Sequence, residues 1–486
     1  MTLAEHLAAF VVRARYEDLS NVAREQLKIR ILDALGCAMG ALGSATIELL
    51  REQAQEFGGA GLCSLIGATR TAPDRAAFYN SALVRYLDFN DSYLAKNETC
   101  HPSDNLGSVL AACEYADKSG GDLMTALAVA YQVQCRLSDV APVRAKGFDH
   151  VTQGSYAIAA GVSKGLGLDA ARTAHALAIC GTAFNALRVT RTGTLSNWKG
   201  LAYPNAAFCA THAAFLAMRG ITGPLEVFEG NKGFMDAIAG RFEIDWGKED
   251  LERVSQTIVK RYNAEIHSQS AIEGILDLRE RHRFRASEVE RVDVEIFDVA
   301  FNIIGGGEEG DKTRVETKEA ADHSLPYLIA VALLDGQVMP EQYRPDRIRG
   351  SEVQTLLRKI HVTPAADLSA RFPRELPCRL TVRLQGDRVL RAEKSDYQGF
   401  VTRPPDWDQA NEKFRSLSEA HTTPILRARI VETVRNIEHT HVRRLMDLLR
   451  EVETKARGPE AQPPPKAGGE PPVKESEEEA LQYGGT

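Results

Sequence analysis

The apolar residues of this chain change their spacing twice, and that limits the folds open to it. Up to about residue 268 they recur at helical intervals. Val109, Leu110 and Cys113 follow Leu106, with Ser103 just before the run as a candidate N-cap, and Leu123, Leu127, Tyr131 and Cys135 follow Asp122. The stretches from Tyr156 to Leu166 and from Ala174 to Ala186 are dense in Ala and Gly, which lets helix backbones approach closely. After about residue 287 the period becomes two: Val292, Val294 and Ile296 alternate with Asp293 and Glu295, and Leu380, Val382 and Leu384 alternate likewise. Gln385-Gly386-Asp387-Arg388 is a turn signal leading to a returning strand at Val389. Ile360–Thr363 reads as a further strand and Ser324–Leu334 as a helix. From about residue 405 the helical spacing returns, with Phe414, Ile425, Ile430, Val434, Leu445 and Leu449 marking the apolar face. The expected fold is therefore mainly α with a smaller α+β domain. Residues 1–268 and 404–456 form one helical domain, residues 269–403 are an α+β lid inserted between its parts, and the Pro- and Glu-rich residues 457–486 form a disordered tail.

A formal net charge of -7, with acids and bases intermixed, gives no nucleic-acid or membrane surface. An anionic ligand stays open, because local charges set a site. The eight cysteines form no CxxC pair and fit neither a zinc site nor an iron–sulfur cluster, so reduced, buried thiols are expected. No HExxH or GxxxxGK[ST] occurs, so neither a metal nor a nucleotide cofactor is expected. Gly305-Gly306-Gly307 reads as a mobile loop. Glu5, His6, Arg13 and Arg15 flank the first apolar stretch, which is unlike a signal peptide, and no apolar run is long enough to span a membrane, so a cytoplasmic protein is expected.

The chemistry-bearing residues fall in clusters. Asp88-Phe-Asn-Asp91-Ser-Tyr is followed by His101-Pro-Ser103-Asp-Asn. His101 stands before a helix start, where free N–H groups can hold a carboxylate and where a nearby Asp91 could orient the imidazole. The loop Arg188-Val-Thr-Arg191 through Ser196-Asn-Trp198-Lys199-Gly collects two arginines and a lysine, a pattern suited to oxyanions, with Trp198 as its apolar anchor. Lys260-Arg-Tyr-Asn-Ala-Glu-Ile-His267 lies at the domain junction, where clefts form. Asp322-His-Ser-Leu-Pro-Tyr327 begins a helix of the inserted domain, and His150 precedes another helix start. Each cluster alone also reads as ordinary structure: a capping histidine, a wet loop, a solvated charge.

Taken together and in order, these segments resemble the MmgE/PrpD family, over roughly residues 5 to 450. The resemblance implies a homodimer, a site between the helical domain and the lid, and a small tricarboxylate substrate handled without cofactor. It implies catalytic roles for Asp91, His101, His150, Lys199, Lys260, His267 and Tyr327. Arg188, Arg191 and Ser103 are the expected substrate-binding residues. The reaction expected is dehydration of 2-methylcitrate to 2-methyl-cis-aconitate, with cis-aconitate decarboxylation, isomerisation or epimerisation, or binding without catalysis as alternatives. Such a substrate carries about three negative charges, from carboxyl groups of pKa near ~4. Lys199, Lys260 and Arg188 are expected to share them. His101, oriented by Asp91, is expected to move one proton, and Tyr327 or His150 the other.

Overall fold

The computed structural model describes residues 1–193 and 195–454; the expected tail lies outside the described residues. The chain is mainly helical with a smaller α+β part, as its spacing implies. Nine helices of the N-terminal part run α1 Leu3–Arg13, α2 Asn21–Ala41, α3 Ala45–Phe57, α4 Pro73–Tyr86, α5 Leu106–Tyr115, α6 Gly120–Val140, α7 Val151–Leu166, α8 Ala170–Ala183 and α9 Trp198–Met218. Their starts carry local signals. Thr2 and Glu5 form a capping box on α1, Ser119 and Asp122 form one on α6, and Pro73 opens α4. Two small ladders interrupt them: β1 Cys63–Ser64 with β2 Arg70–Thr71, and β3 Tyr93–Ala95 with β4 Glu98–Cys100.

The expectation of helix after helix to about residue 268 needs correction. From Arg219 to Ser268 the chain has only short 3-10 and π turns. Its backbone is paired instead with distant segments: Ser92 and Ile258 exchange both N–H···O bonds at 2.8 Å, and Glu265 donates its N–H to the Asp322 carbonyl. Ser103 does not cap α5. A 3-10 turn, Pro102–Asn105, intervenes, and α5 starts without a side-chain cap.

Two large apolar cores result, beside a small cluster of Tyr93, Ala95, Cys100 and Cys135. One joins α1–α9 to the C-terminal helices Trp407–Ser418, Pro424–Arg435 and Val442–Arg450, where Leu426 packs inward in place of the expected Ile425, which is exposed. The other lies between Ile258 and Phe400. There β5 Val289–Ile296, β6 Ile360–Pro364, β7 Cys378–Leu384 and β8 Arg388–Lys394 form a sheet in the order β6-β5-β7-β8. Only the β5–β6 pair is parallel. Helix α10, Gln269–His282, packs on β7 and β8, with the helix Leu325–Asp335 beside it. Among the described residues no single helix is long and apolar enough to cross a membrane. Seven cysteines are buried and Cys209 is half-buried.

Helix α2 is buried nearly all round from Leu27 to Ala41, so its charged residues need internal partners. Arg30 donates to the Thr257 hydroxyl and carbonyl at 2.9 and 2.7 Å. Asp33 takes the Lys413 ammonium at 2.7 Å. Lys413, on Trp407–Ser418, also donates to the carbonyls of Phe89 and Lys260. The C-terminal return helix thereby fixes both chain segments that build the cleft described next.

Small residues set the helix spacing. A Cβ on Gly107 of α5 would lie 2.4 Å from the Ser81 amide nitrogen of α4, so neither backbone could stay in place. Gly107→Ala is expected to destabilise the protein by about 1–3 kcal/mol through overpacking. Gly121→Ala, on α6 where the nearest atom is 3.7 Å away, is expected to be neutral or stabilising. Comparison of the two melting temperatures checks this; equal values would mean that α4 and α5 are not held at contact distance.

Candidate active site

The cleft is built around Asp88, at the end of α4, whose backbone takes a left-handed φ of 54°. Its Oδ1 accepts from Arg85 Nη1 at 2.6 Å and from Lys260 Nζ at 2.7 Å, and Lys199 Nζ stands 3.8 Å from Oδ2. Lys260 also donates to the Asp88 carbonyl, which fixes the turn. Burial alone would push this carboxyl's pKa up, but Arg85, Lys260 and Lys199 outweigh it and hold the group well below its usual range.

Lys199 continues the charge chain into the second core. Its Nζ lies 2.8 Å from Asp322 Oδ1 and 2.9 Å from His323 Nδ1, and Lys318 takes the other Asp322 oxygen at 3.0 Å. Asp88, Asp322 and His323 converge closely enough to ligate a cation. Here the Lys199 ammonium fills that role, and the donor set fits it better than a metal, because Arg85, Lys260 and Lys318 already neutralise the carboxylates.

Beside this chain opens a cleft of about 510 Å³, part of it open to solvent. Of the four histidines on its wall, His323 faces Lys199 and the other three are fixed in different ways. His101 Nδ1 lies 2.8 Å from the Asp91 carbonyl oxygen and 3.0 Å from Ser92 Oγ. A carbonyl can only accept, so Nδ1 carries the proton and Nε2 keeps its lone pair. Burial, then Arg85 and Lys260, holds the His101 pKa well below its ordinary value, so the ring is neutral. His267 Nδ1 is 2.6 Å from Glu265 Oε1, whose other oxygen accepts the His267 N–H, and Nε2 has no partner among the described residues. Burial opposes the charge on Glu265, yet His267 brings its carboxyl down to about 2. His150, edge-on to His101 with ring centroids 5.4 Å apart, has neither ring nitrogen hydrogen-bonded among the described residues. Burial takes it down to about 3, against the pull of Asp149, 3.6 Å away.

The structure brings His101, His150, Lys260, His267, Arg188 and Arg191 to this cleft; Lys199 lies in the adjoining hollow with Asp88 and Asp322. Three expected residues line neither the cleft nor the hollow. Asp91 is fully buried, accepting from the Ser103 N–H at 3.0 Å and the Tyr131 hydroxyl at 2.7 Å. It orients His101 through its main chain rather than its carboxylate. Ser103 is buried too, its hydroxyl accepting from Asn90. Tyr327 donates its hydroxyl to the Gln342 carbonyl inside the second core. Trp198, expected as a loop anchor, is 47% exposed. Arg85, Arg144, Asp149 and Glu309 escaped the sequence reading. Arg85 left one signal, a charge closing the apolar run Ala82-Leu83-Val84. Arg144 and Glu309 left none.

With this geometry in view, comparison with known proteins decides the family. The MmgE/PrpD N-terminal domain matches residues 5–247, and the MmgE/PrpD C-terminal domain matches residues 262–439. The chain belongs to the MmgE/PrpD family. It is 28% identical over 382 residues to 2-methylcitrate dehydratase of Escherichia coli K12, covering 71% of this chain and 74% of that protein. It is 28% identical over 383 residues to an alkylcitrate dehydratase of a fungal species, covering 71% and 72%. The cis-aconitate decarboxylase of Mus musculus is 24% identical over 441 residues, covering 85% and 86%.

Asp88→Asn keeps a residue that tolerates positive φ but removes the charge. It leaves Arg85 and Lys260 facing a neutral amide and is expected to cost about 3–5 kcal/mol, read as a large fall in melting temperature. An unchanged melting temperature would show that these cations find other partners.

His150 gives a pH dependence. Its folded pKa lies below the ordinary 6.5, so the unfolded chain binds the extra proton and stability is lost as pH falls from 6.5 toward about 3. The slope approaches about 1.4 kcal/mol per pH unit for one such group. In His150→Gln the melting temperature is expected to fall less steeply between pH 6.5 and 5 than in the parent; parallel curves would mean that His150 is not held neutral by the fold.

Proposed function

We propose that this MmgE/PrpD-family protein is a hydro-lyase that removes water from a tricarboxylate of the 2-methylcitrate type by acid–base chemistry between histidines. The observation that carries the reading is the pair His101 and His267 on one cleft wall. Each is held at Nδ1, by a carbonyl and by a carboxylate respectively, so that Nε2 is left for a ligand. The neutral His101 takes the proton α to a substrate carboxylate. Its C–H electrons form the double bond, the C–O bond on the neighbouring carbon breaks, and the hydroxyl leaves as water with a proton from His267. Glu265, beside the His267 ring, balances the positive charge of the proton-donating form. Lys260, Arg188 and Arg191 hold carboxylates and stabilise the charge that builds as the proton departs. Dehydratases of methylcitrate and of alkylcitrates among the relatives support this substrate class.

A second reading rests on the decarboxylase relative, which aligns over more of the chain than the dehydratases do. In that case the same cations hold cis-aconitate while a C–C bond breaks, carbon dioxide leaves, and a histidine protonates the resulting carbanion.

The test is incubation with citrate, 2-methylcitrate, cis-aconitate and 2-methyl-cis-aconitate, followed by alkene absorbance and product mass. Alkene formation from 2-methylcitrate with loss of water is expected, and loss of carbon dioxide from cis-aconitate would establish the second reading instead. His101→Ala is expected to lower kcat by roughly 100-fold or more. Near-normal turnover by that variant, shown folded, would remove His101 from the mechanism.

A further inference from the structure

One carboxylate in the cleft pairs with arginines outside the buried charge chain and comes from a separate segment. Glu309 follows the π turn Phe301–Gly305 of the second core, whereas the two arginines it meets belong to the helical core. Its Oε1 accepts from Arg188 Nη2 at 2.9 Å and lies 3.5 Å from Arg144 Nη2. The side chain is only 7% exposed, although Glu308 and Gly310 on either side are exposed. The arginine seat is itself built: Glu98 accepts the backbone N–H groups of Val143 and Arg144 at 3.0 Å, and the Arg188 N–H donates to the Gly147 carbonyl. The segment carrying Glu309 is held differently. Its backbone bonds run back to Phe301 and Asn302, and Gly306 and Gly310 sit at φ 109° and 86° with open space where a Cβ would be.

Charge gives this arrangement its meaning. Among the described residues five arginine or lysine side chains line the cleft against four carboxylates, so apart from its histidines the wall carries little net positive charge. An incoming trianion meets cations that are already paired, and a partly buried carboxylate left beside it would repel it.

We propose that Glu309 is an internal stand-in for substrate. It occupies a carboxylate seat formed by Arg144 and Arg188, and a carboxylate of the ligand displaces it on binding. That the ligand is a polycarboxylate rests on the function proposed above; the competition for the arginines does not depend on any reaction.

The test uses propane-1,2,3-tricarboxylate, which has no hydroxyl to lose, and reads its affinity by calorimetry. Glu309→Gln is expected to bind it roughly tenfold tighter than the parent, the size of a charge-assisted hydrogen bond no longer in competition. Glu308→Gln removes a neighbouring charge that touches neither arginine and should stay within about twofold of the parent. In an Arg188→Met background, Glu309→Gln should lose most of its gain. Unchanged affinity in Glu309→Gln, an equal gain in Glu308→Gln, a gain that survives Arg188→Met, or no binding by any variant would each overturn the proposal. Turnover assays separate the two readings. Tighter binding by Glu309→Gln with no turnover of any tricarboxylate keeps the seat and refutes the hydro-lyase, whereas turnover with unchanged affinity does the reverse.

Discussion

A carboxylate buried among cations cannot be removed without leaving those cations uncompensated, and the arrangement around Asp88 follows from that constraint. Arg85 arrives from α4, Lys260 from the irregular segment after α9, and Lys199 from the start of α9. Lys199 then shares its charge with Asp322, which belongs to a segment of the second core. The two apolar cores are thus joined by an alternating line of charges rather than by apolar contact alone. Such a line tolerates little displacement, because moving either core by a few ångströms would strand a charge at low dielectric. It explains how residues 258–268, whose only helical element is the short 3-10 turn Ile266–Ser268, can hold three cleft residues in place.

The same burial that makes the charges costly keeps His101 and His150 neutral. His101 and His150 lie beside Arg85 and Arg191, in a setting that disfavours another positive charge. A neutral imidazole with one nitrogen tied to a carbonyl has its lone pair on the other, which suits proton abstraction. His267 differs because a carboxylate stands behind it. Two rings of the same residue type are thereby given unlike second partners, and the difference comes from what lies behind each ring rather than from the cleft side.

Much of the fold was legible because it is periodic. The alternation of Val292, Val294 and Ile296 became β5, the turn at Gln385–Arg388 joined β7 to β8, and Ser324 caps the helix at Leu325–Asp335. The segment from 219 to 268 was misread as helix. It lacks a helical stripe of its own, and its conformation is set by bonds to residues far away in the chain, such as Ser92 and Asp322. The cleft residues divide in the same way. His101, His150, Lys199, Lys260 and His267 stand in short polar clusters that a reader of the sequence can see. Arg85 is inside an apolar helix, and Arg144 and Glu309 are ordinary charges in turns.

The sequence by itself determined the order of the main helices and strands, several helix caps, and the polar clusters that carry the family's pattern, because each depends on neighbours within a few residues. Only the tertiary structure decided which of those polar groups face the cleft. It turned the Asp91 carboxylate inward to Tyr131 and left its carbonyl to orient His101. It spent the Tyr327 hydroxyl on Gln342, paired Lys199 with Asp322, and seated Glu309 on Arg188. The direction of a side chain and the charge state of a buried group are set by what the rest of the chain packs against them. No local pattern of residues encodes that field.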